Sequence, residues 1–204
     1  MAIELPIDIN SIKGFLAEDE AQALFDATAE TAALGPALEI GSYCGKSTIY
    51  MGSAAKTSGG IVYALDHHRG SEEHQPGEYF HDPDLIDTEG KVDTFREFRR
   101  NIAACGLNDT VIALVTDSKT AVRHWTTRLG MVFIDGGHSL EAALSDYRCW
   151  AVHVAPGGIL AIHDVFPDAH EGGQAPYTIY RMAVLSGLFE EIRVVNTLAL
   201  LRRL

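Results

Sequence analysis

The chain has 204 residues, of which 47% are hydrophobic, enough to bury the core of one globular domain. Its formal net charge of −12 disfavours nucleic acid and anionic membrane surfaces as partners, because both carry negative charge. The amino terminus has no basic segment, and no apolar run reaches the roughly 18 residues that a membrane span needs. We therefore expect a single domain over residues 1–204, located in the cytoplasm.

The first 35 residues predict a helical segment, since an acidic, Ala-rich stretch from Ala17 to Leu34 ends at Gly35-Pro36. From residue 36 onward, short apolar runs alternate with stretches of helical periodicity, which is typical of an α/β fold with a parallel sheet. The predicted parallel strands are Ala37–Ile40, Ile61–Leu65, Val111–Val115, Met131–Ile134 and Ile159–Ile162.

Helical periodicity predicts helices over Val92–Ile102 and after Ser139. Two β-rich runs after Phe189, joined by Asn196-Thr197, predict a carboxyl-terminal antiparallel hairpin. These two strands bring the expected sheet to seven strands, most of them parallel.

An acid and two glycines follow the first predicted strand, in the run Leu38-Glu-Ile-Gly-Ser-Tyr-Cys-Gly-Lys-Ser47. The ligand crevice of an α/β sheet opens at such strand ends, and glycine allows a close backbone approach to a ligand. Gly45-Lys46-Ser47 is similar to the end of a phosphate-binding P-loop, but Ile40 stands where that motif needs its first glycine. The P-loop interpretation therefore fails.

The spacing of Glu39, Gly41 and Gly45 resembles the first motif of the class I S-adenosylmethionine-dependent methyltransferases, whose fold is Rossmann-like. Asp66 follows the second strand, where an acid can accept both ribose hydroxyls. Thr116-Asp117-Ser118 is similar to the adenine-side motif of the family, and Pro156-Gly157-Gly158 before the last parallel strand is also typical of it. The cofactor contacts that this resemblance implies are Glu39, Gly41, Tyr43, Gly45, Ser47, Asp66, Asp117 and Ser118.

Other interpretations of these residues stay open. The glycines could be ordinary turn residues and Asp117 a helix cap. NAD-binding folds share the ribose acid, so a nicotinamide-dependent oxidoreductase is one alternative, although no Gly-x-Gly-x-x-Gly follows the first strand.

A second polar cluster follows two strands that we expect to be neighbours. Asp135 and Asp164 would then converge, since adjacent strands lie roughly 5 Å apart, and a divalent cation would relieve their repulsion. The stretch Asp135-Gly-Gly-His138 resembles metal-dependent O-methyltransferases that act on sugars of macrolides and other glycosylated natural products. This resemblance implies that Asp135 and Asp164 bind the metal, and that His138 is the general base beside the catalytic Asp135.

His163 stands where those relatives usually carry an acid, and we predict it as the third ligand. Mg²⁺ is the expected ion, although an imidazole ligand suits Mn, Fe or Zn better.

Residues 66–88 lack apolar periodicity and predict a polar lid loop over the acceptor. The loop is rich in His, Glu and Arg, and the sequence offers no evident aromatic wall, which favours a sugar or glycoside over a flat aromatic acceptor. The predicted protein is a homodimeric methyltransferase of a sugar hydroxyl. A metal-dependent hydroxylase on the same fold is the second alternative.

Overall fold

The computed structural model describes residues 3–204 as a seven-stranded sheet with helices on both faces. The strand order is β3-β2-β1-β4-β5-β7-β6. The first five strands are mutually parallel, whereas β7 runs antiparallel to both β5 and β6, so the predicted sheet and its terminal hairpin are confirmed. The strands are β1 (Ala37–Ile40), β2 (Val62–Leu65), β3 (Val111–Leu114), β4 (Leu129–Ile134), β5 (Val154–Ile162), β6 (Phe189–Val195) and β7 (Leu198–Arg203).

In the described residues six α-helices cover the sheet, and side-chain alternation along the strands gives each face its own core. In β1, Ala37 packs with the core under α1, α2 and α3, whereas Leu38 and Ile40 pack with the core under α5 and α6. Both faces of the central strands are therefore buried, as parallel sheets require. The helices are α1 (Glu18–Thr31), α2 (Lys46–Thr57), α3 (Phe95–Ala104), α4 (Ser118–Ala121), α5 (Leu140–Trp150) and α6 (Gln174–Leu185).

Several boundaries differ from the sequence prediction by a few residues, and two of them are informative. Helix α3 begins at Phe95, because Val92 pairs with Ile86 in an antiparallel bridge and the Asp93 carboxylate accepts a hydrogen bond from the Phe95 N–H. Strand β5 already contains Pro156-Gly157-Gly158, in a stretch where its pairing with β4 shifts register.

The two segments that flank the site contain more structure than their sequences indicate. Of the predicted amino-terminal helical segment, residues 1–2 lie outside the described part, and α1 follows a short 3₁₀ helix at Ile9–Ser11. The predicted lid contains two more 3₁₀ helices, at Glu72–His74 and Pro83–Leu85. Across residues 3–204, no helix combines the length and the hydropathy that crossing a bilayer requires.

Candidate active site

A cavity of about 720 Å³ opens at the carboxyl ends of the parallel strands, a size typical of small-molecule sites. Two of the predicted cofactor residues, Glu39 and Gly45, lie behind this lining. The predicted site residues that line it are Gly41, Tyr43, Ser47, Asp66, Asp117, Ser118, Asp135, His138, His163 and Asp164.

The loop after β1 packs directly on the backbone after β4, and Gly41 makes this contact. Its φ is +89°, and a Cβ atom there would lie 2.0 Å from the carbonyl oxygen of Asp135. The Gly41 N–H donates to the carbonyl of Leu65 at 2.9 Å, which ties the same loop to β2. Only glycine allows this approach, so the loop after β1 and the acidic cluster are held against each other.

Glu39 supports this loop from below. Its carboxylate is fully buried and accepts hydrogen bonds from Ser47 Oγ, at 2.5 Å, and from Thr48 Oγ1 in the first turn of α2. Burial raises the pKa of Glu39 to about 7, although the hydroxyl groups lower it. The structure therefore places Glu39 as a support of the loop and not in the lining of the cavity.

Asp66 presents its carboxylate at the edge of the cavity. Oδ2 accepts the Tyr43 N–H at 2.8 Å and Oδ1 accepts the His68 N–H at 2.6 Å, so both oxygens are fixed in place. Tyr43 itself has a φ of +46°, and its ring stacks on His74 of the predicted lid at 5.0 Å. The loops after β1 and β2 thus form one connected wall.

Asp117 and Ser118 begin α4 beyond this wall. Asp117 caps the helix, since its carboxylate accepts the Thr120 N–H at 2.8 Å, which was the alternative interpretation of this residue. Ser118 Oγ accepts a hydrogen bond from Nε1 of the buried Trp150 at 3.0 Å. Both residues also face the cavity, so capping does not exclude ligand contact.

His163 is buried between two carboxylates. Its Nδ1 lies 3.0 Å from Asp135 Oδ1 and its Nε2 lies 3.1 Å from Glu20 Oε2, a partner on α1 that the sequence did not indicate. Burial alone would lower the pKa of His163, but Asp135 and Glu20 raise it to about 11. An imidazolium that donates from both ring nitrogens has no lone pair for a metal.

A different set of candidate metal ligands converges at the ends of β4 and β5. Ligand atoms of Asp135, His138 and Asp164 all lie within 4.8 Å of one another, so His138 stands in the group where His163 was predicted. His138 Nε2 lies 2.9 Å from Asp164 Oδ2, and its Nδ1 lies 3.1 Å from Glu73 Oε2. Asp164 and, more weakly, Glu73 raise the pKa of His138 to about 9, against the lowering effect of burial.

The predicted lid lies across this site. Glu73 reaches His138 on one side, and on the other Lys13 Nζ lies 2.6 Å from Asp82. The rings of Phe15 and Phe80 meet edge to face at 5.1 Å, and Phe15 lines the cavity. Phe15 thus adds an aromatic surface to the lining that the sequence analysis did not expect, because its partner Phe80 lies in a segment about 65 residues away with no local pattern that connects the two.

Comparison with known proteins identifies the family. Residues 38–165, more than half of the chain, match the family model described as "Methyltransferase domain". The chain belongs to this methyltransferase family. The predicted enzyme class is thus confirmed, and the nicotinamide-dependent alternative gains no support.

Solved structures of methyltransferases share the fold of this chain. The O-methyltransferase TomG from Streptomyces achromogenes, in complex with S-adenosylmethionine, is 16% identical, with a TM-score of 0.64 over 93% of this chain and 81% of that one. The O-methyltransferase from Bacillus cereus, in complex with S-adenosylhomocysteine, is 16% identical, with a TM-score of 0.68 over 96% of this chain and 85% of that one. The O-methyltransferase NovP is 17% identical, with a TM-score of 0.68 over 92% of this chain and 80% of that one. At these identities the likeness establishes the fold alone.

Proposed function

We propose that this methyltransferase uses S-adenosylmethionine and a divalent metal to methylate a hydroxyl group of a sugar or a glycosylated small molecule. One observation carries the proposal: a single cavity connects the fixed carboxylate of Asp66 to the cluster of Asp135, His138 and Asp164. A nucleoside-linked methyl donor and an activated hydroxyl can therefore meet within it.

The residues at the Asp66 end fit the cofactor. Each Asp66 oxygen holds one backbone N–H and keeps lone-pair capacity for a ribose hydroxyl. Gly41 keeps the adjoining loop free of side-chain bulk. Asp117 and Ser118 face the space that the adenine ring would occupy. When bound, S-adenosylmethionine supplies an electrophilic methyl group on its sulfonium. Its complexes with TomG and, as product, with the Bacillus cereus enzyme support this choice.

The residues at the other end fit a divalent cation. Asp135 and Asp164 offer carboxylate oxygens, which suit Mg²⁺ or Mn²⁺, and the His138 nitrogen beside them is kept for proton transfer. A cation held there would act as a Lewis acid that acidifies the bound hydroxyl. His163 then has a different task from the one predicted, because its hydrogen bond orients the Asp135 carboxylate.

His138 is the proposed general base. In its neutral form the imidazole takes the hydroxyl proton at Nε2 while the oxygen attacks the methyl carbon, and S-adenosylhomocysteine leaves. This step requires Nε2 to be released from Asp164, with which it pairs at 2.9 Å in the structure. Glu73 remains on Nδ1 and can hold the ring in place.

The lining of the cavity also supports a second candidate acceptor, an aromatic hydroxyl. Phe15, packed against Phe80, presents apolar ring surface in the lining, which would contact a flat aromatic ring or the aglycone of a glycoside. Polar groups of the lid, such as Glu72 and Ser71, favour the sugar. Parallel assays with glycosides and catechols decide between these acceptors.

The test of the proposed chemistry is methyl transfer from isotopically labelled S-adenosylmethionine. His138→Ala should lower the rate by about 10²–10⁴, the usual contribution of a positioned base, while cofactor affinity stays unchanged. His170→Ala, a change at an exposed histidine outside the cavity lining, is the matched control. Wild-type turnover in His138→Ala would remove the base from the mechanism.

Metal dependence is tested in the same assay. Excess EDTA should abolish turnover without unfolding the protein or preventing the binding of S-adenosylhomocysteine, and added Mg²⁺ or Mn²⁺ should restore it. Full activity in EDTA would contradict the metal proposal. Consumption of 2-oxoglutarate in place of methyl transfer would favour the hydroxylase alternative, and the predicted homodimer remains a prediction for sedimentation measurements.

A further inference from the structure

A second buried carboxylate faces the cavity, and none of the roles described so far uses it. Asp146 lies on α5, where Ala143, Asp146 and Trp150 recur at helical spacing and form the buried face of the helix. Only 9% of the surface of Asp146 is exposed, and the residue lines the cavity. A carboxylate on the buried face of a helix needs a hydrogen-bond donor or a cation beside it, because burying an unpaired charge is costly.

The protein itself supplies little compensation for this charge. Within residues 3–204, no Lys, Arg or His comes close enough to Asp146 to form an ion pair with it, and the Ser118 hydroxyl is its one hydrogen-bonding neighbour. Ser118 Oγ accepts a hydrogen bond from Trp150, so the hydroxyl hydrogen of Ser118 is free to point at the Asp146 carboxylate. One hydroxyl occupies one of about four acceptor sites on a carboxylate, so most of its capacity is open to a ligand.

The position of Asp146 indicates which part of a ligand it would meet. Its Oδ2 lies so close to Gly136 that a Cβ atom on that glycine would be 2.7 Å away. The charged groups that influence it, His67, Asp117 and Lys119, follow β2 and β3. Asp146 therefore lies between the loop after β4 and the end of the cavity that holds Ser118, within electrostatic range of groups that follow β2 and β3.

We propose that Asp146 accepts a hydrogen bond from the exocyclic amino group of the adenine ring and so selects a 6-aminopurine over a 6-oxopurine cofactor. This inference rests on the proposed function, in which Asp66 binds the ribose of S-adenosylmethionine. A purine attached to that ribose would extend toward Ser118 and Asp146. A carboxylate attracts the amino N–H of adenine and repels the carbonyl oxygen that hypoxanthine carries at the same ring position.

The test is a binding cycle by calorimetry with S-adenosylhomocysteine and S-inosylhomocysteine. The wild-type protein should prefer the adenine compound by about tenfold or more, as for a hydrogen bond to a charged group. Asp146→Ala should weaken the adenine compound and bind the inosine compound at least as well as the wild type does, so that the preference disappears. Asp146→Asn keeps the shape and can donate to a carbonyl oxygen, so it should reverse the preference.

Two further variants make the outcome specific. Ser145→Ala, a change at the neighbouring lining residue, should keep the wild-type preference. Asp117→Asn tests the other carboxylate at this end of the cavity. If the preference persists in a folded Asp146→Ala protein, or is lost only in Asp117→Asn, the assignment of Asp146 is overturned while the proposed function stands. If the wild-type protein binds neither compound, the proposed function and this inference both fail.

Discussion

At the scale of single residues, the buried carboxylate of Asp146 should lower the free energy of unfolding at neutral pH. Burial raises its pKa to about 6, above the ordinary value of 3.8. The penalty is therefore absent below about pH 4, grows as the pH rises through the folded-state pKa, and is complete above it. Asp146→Asn should stabilise the ligand-free protein by about 1–3 kcal/mol at pH 8 and by almost nothing at pH 4.

Urea unfolding at the two pH values measures this difference. Asp109→Asn, which changes an exposed aspartate, should alter stability by less than about 0.5 kcal/mol at either pH. An Asp146→Asn protein that is less stable than the wild type at pH 8 would mean that the carboxylate has a strong partner in the ligand-free state.

Gly41 offers a second test at this scale. Gly41→Ala should destabilise the protein by about 2–4 kcal/mol, because it adds backbone strain and forces the loop away from the Asp135 carbonyl. Gly77→Ala is a matched control, since Gly77 has a φ of +97° with open space around it and should cost about 1 kcal/mol. Equal losses in the two variants would show that the contact with Asp135 carries no energy.

Sequence analysis found those residues of the candidate site that follow strands and missed those that approach from elsewhere. Asp66, Asp135 and Asp164 were predictable because the ends of parallel strands meet at one edge of the sheet. Glu20 was not predictable, because its partner His163 is 143 residues away and α1 showed no sign of reaching it. Asp146 did leave a signal, a charged residue in phase with the apolar positions of α5.

At the scale of elements, the predicted lid is the segment whose behaviour most needs measurement. Its contacts with the rest of the protein combine ring contacts, such as Phe15 with Phe80, and exposed ion pairs, such as those of Lys13 with Asp82 and Asp84. Exposed ion pairs contribute about 0–1 kcal/mol each, so the loop should open readily without ligand. A glutamate-specific protease should therefore cleave near Glu72 or Glu78 in the free enzyme and act more slowly with product cofactor and acceptor bound.

Lys13→Ala should speed this cleavage a fewfold, because it removes the link between the lid and the amino-terminal segment. Lys91→Ala, which breaks an exposed pair with Glu89, should leave the cleavage rate at Glu72 unchanged. A loop that resists cleavage equally with and without ligands would be a fixed wall of the site.

Most elements were predictable from the sequence to within a few residues because each strand is a short apolar run between turn residues. The exceptions arise where contacts with other segments decide. Val92 fits the helical periodicity of α3, yet its pairing with Ile86 delays the start of the helix to Phe95. The fold of the lid depends on Phe15 and Lys13, and neither has a local pattern that points to it.

At the scale of the whole molecule, the charge of the protein agrees with the proposed cofactor. The net charge is −12, and acids outnumber lysines in the lining of the cavity. Such a field attracts the cationic sulfonium and ammonium groups of S-adenosylmethionine, whereas it repels the pyrophosphate of a nicotinamide dinucleotide. The fold shared with methyltransferases and the electrostatics therefore favour the same ligand.

Calorimetry with S-adenosylmethionine, NAD and 2-oxoglutarate tests the central claim most directly, with Asp66→Ala as the variant. We predict that the wild-type protein binds S-adenosylmethionine and neither of the other compounds. Asp66→Ala should lose about 1.5–3 kcal/mol of binding free energy, since hydrogen bonds from ribose hydroxyls to a charged carboxylate disappear. Binding of NAD in place of S-adenosylmethionine, or equal affinity of the wild type and Asp66→Ala for the methyl donor, would contradict the proposed site.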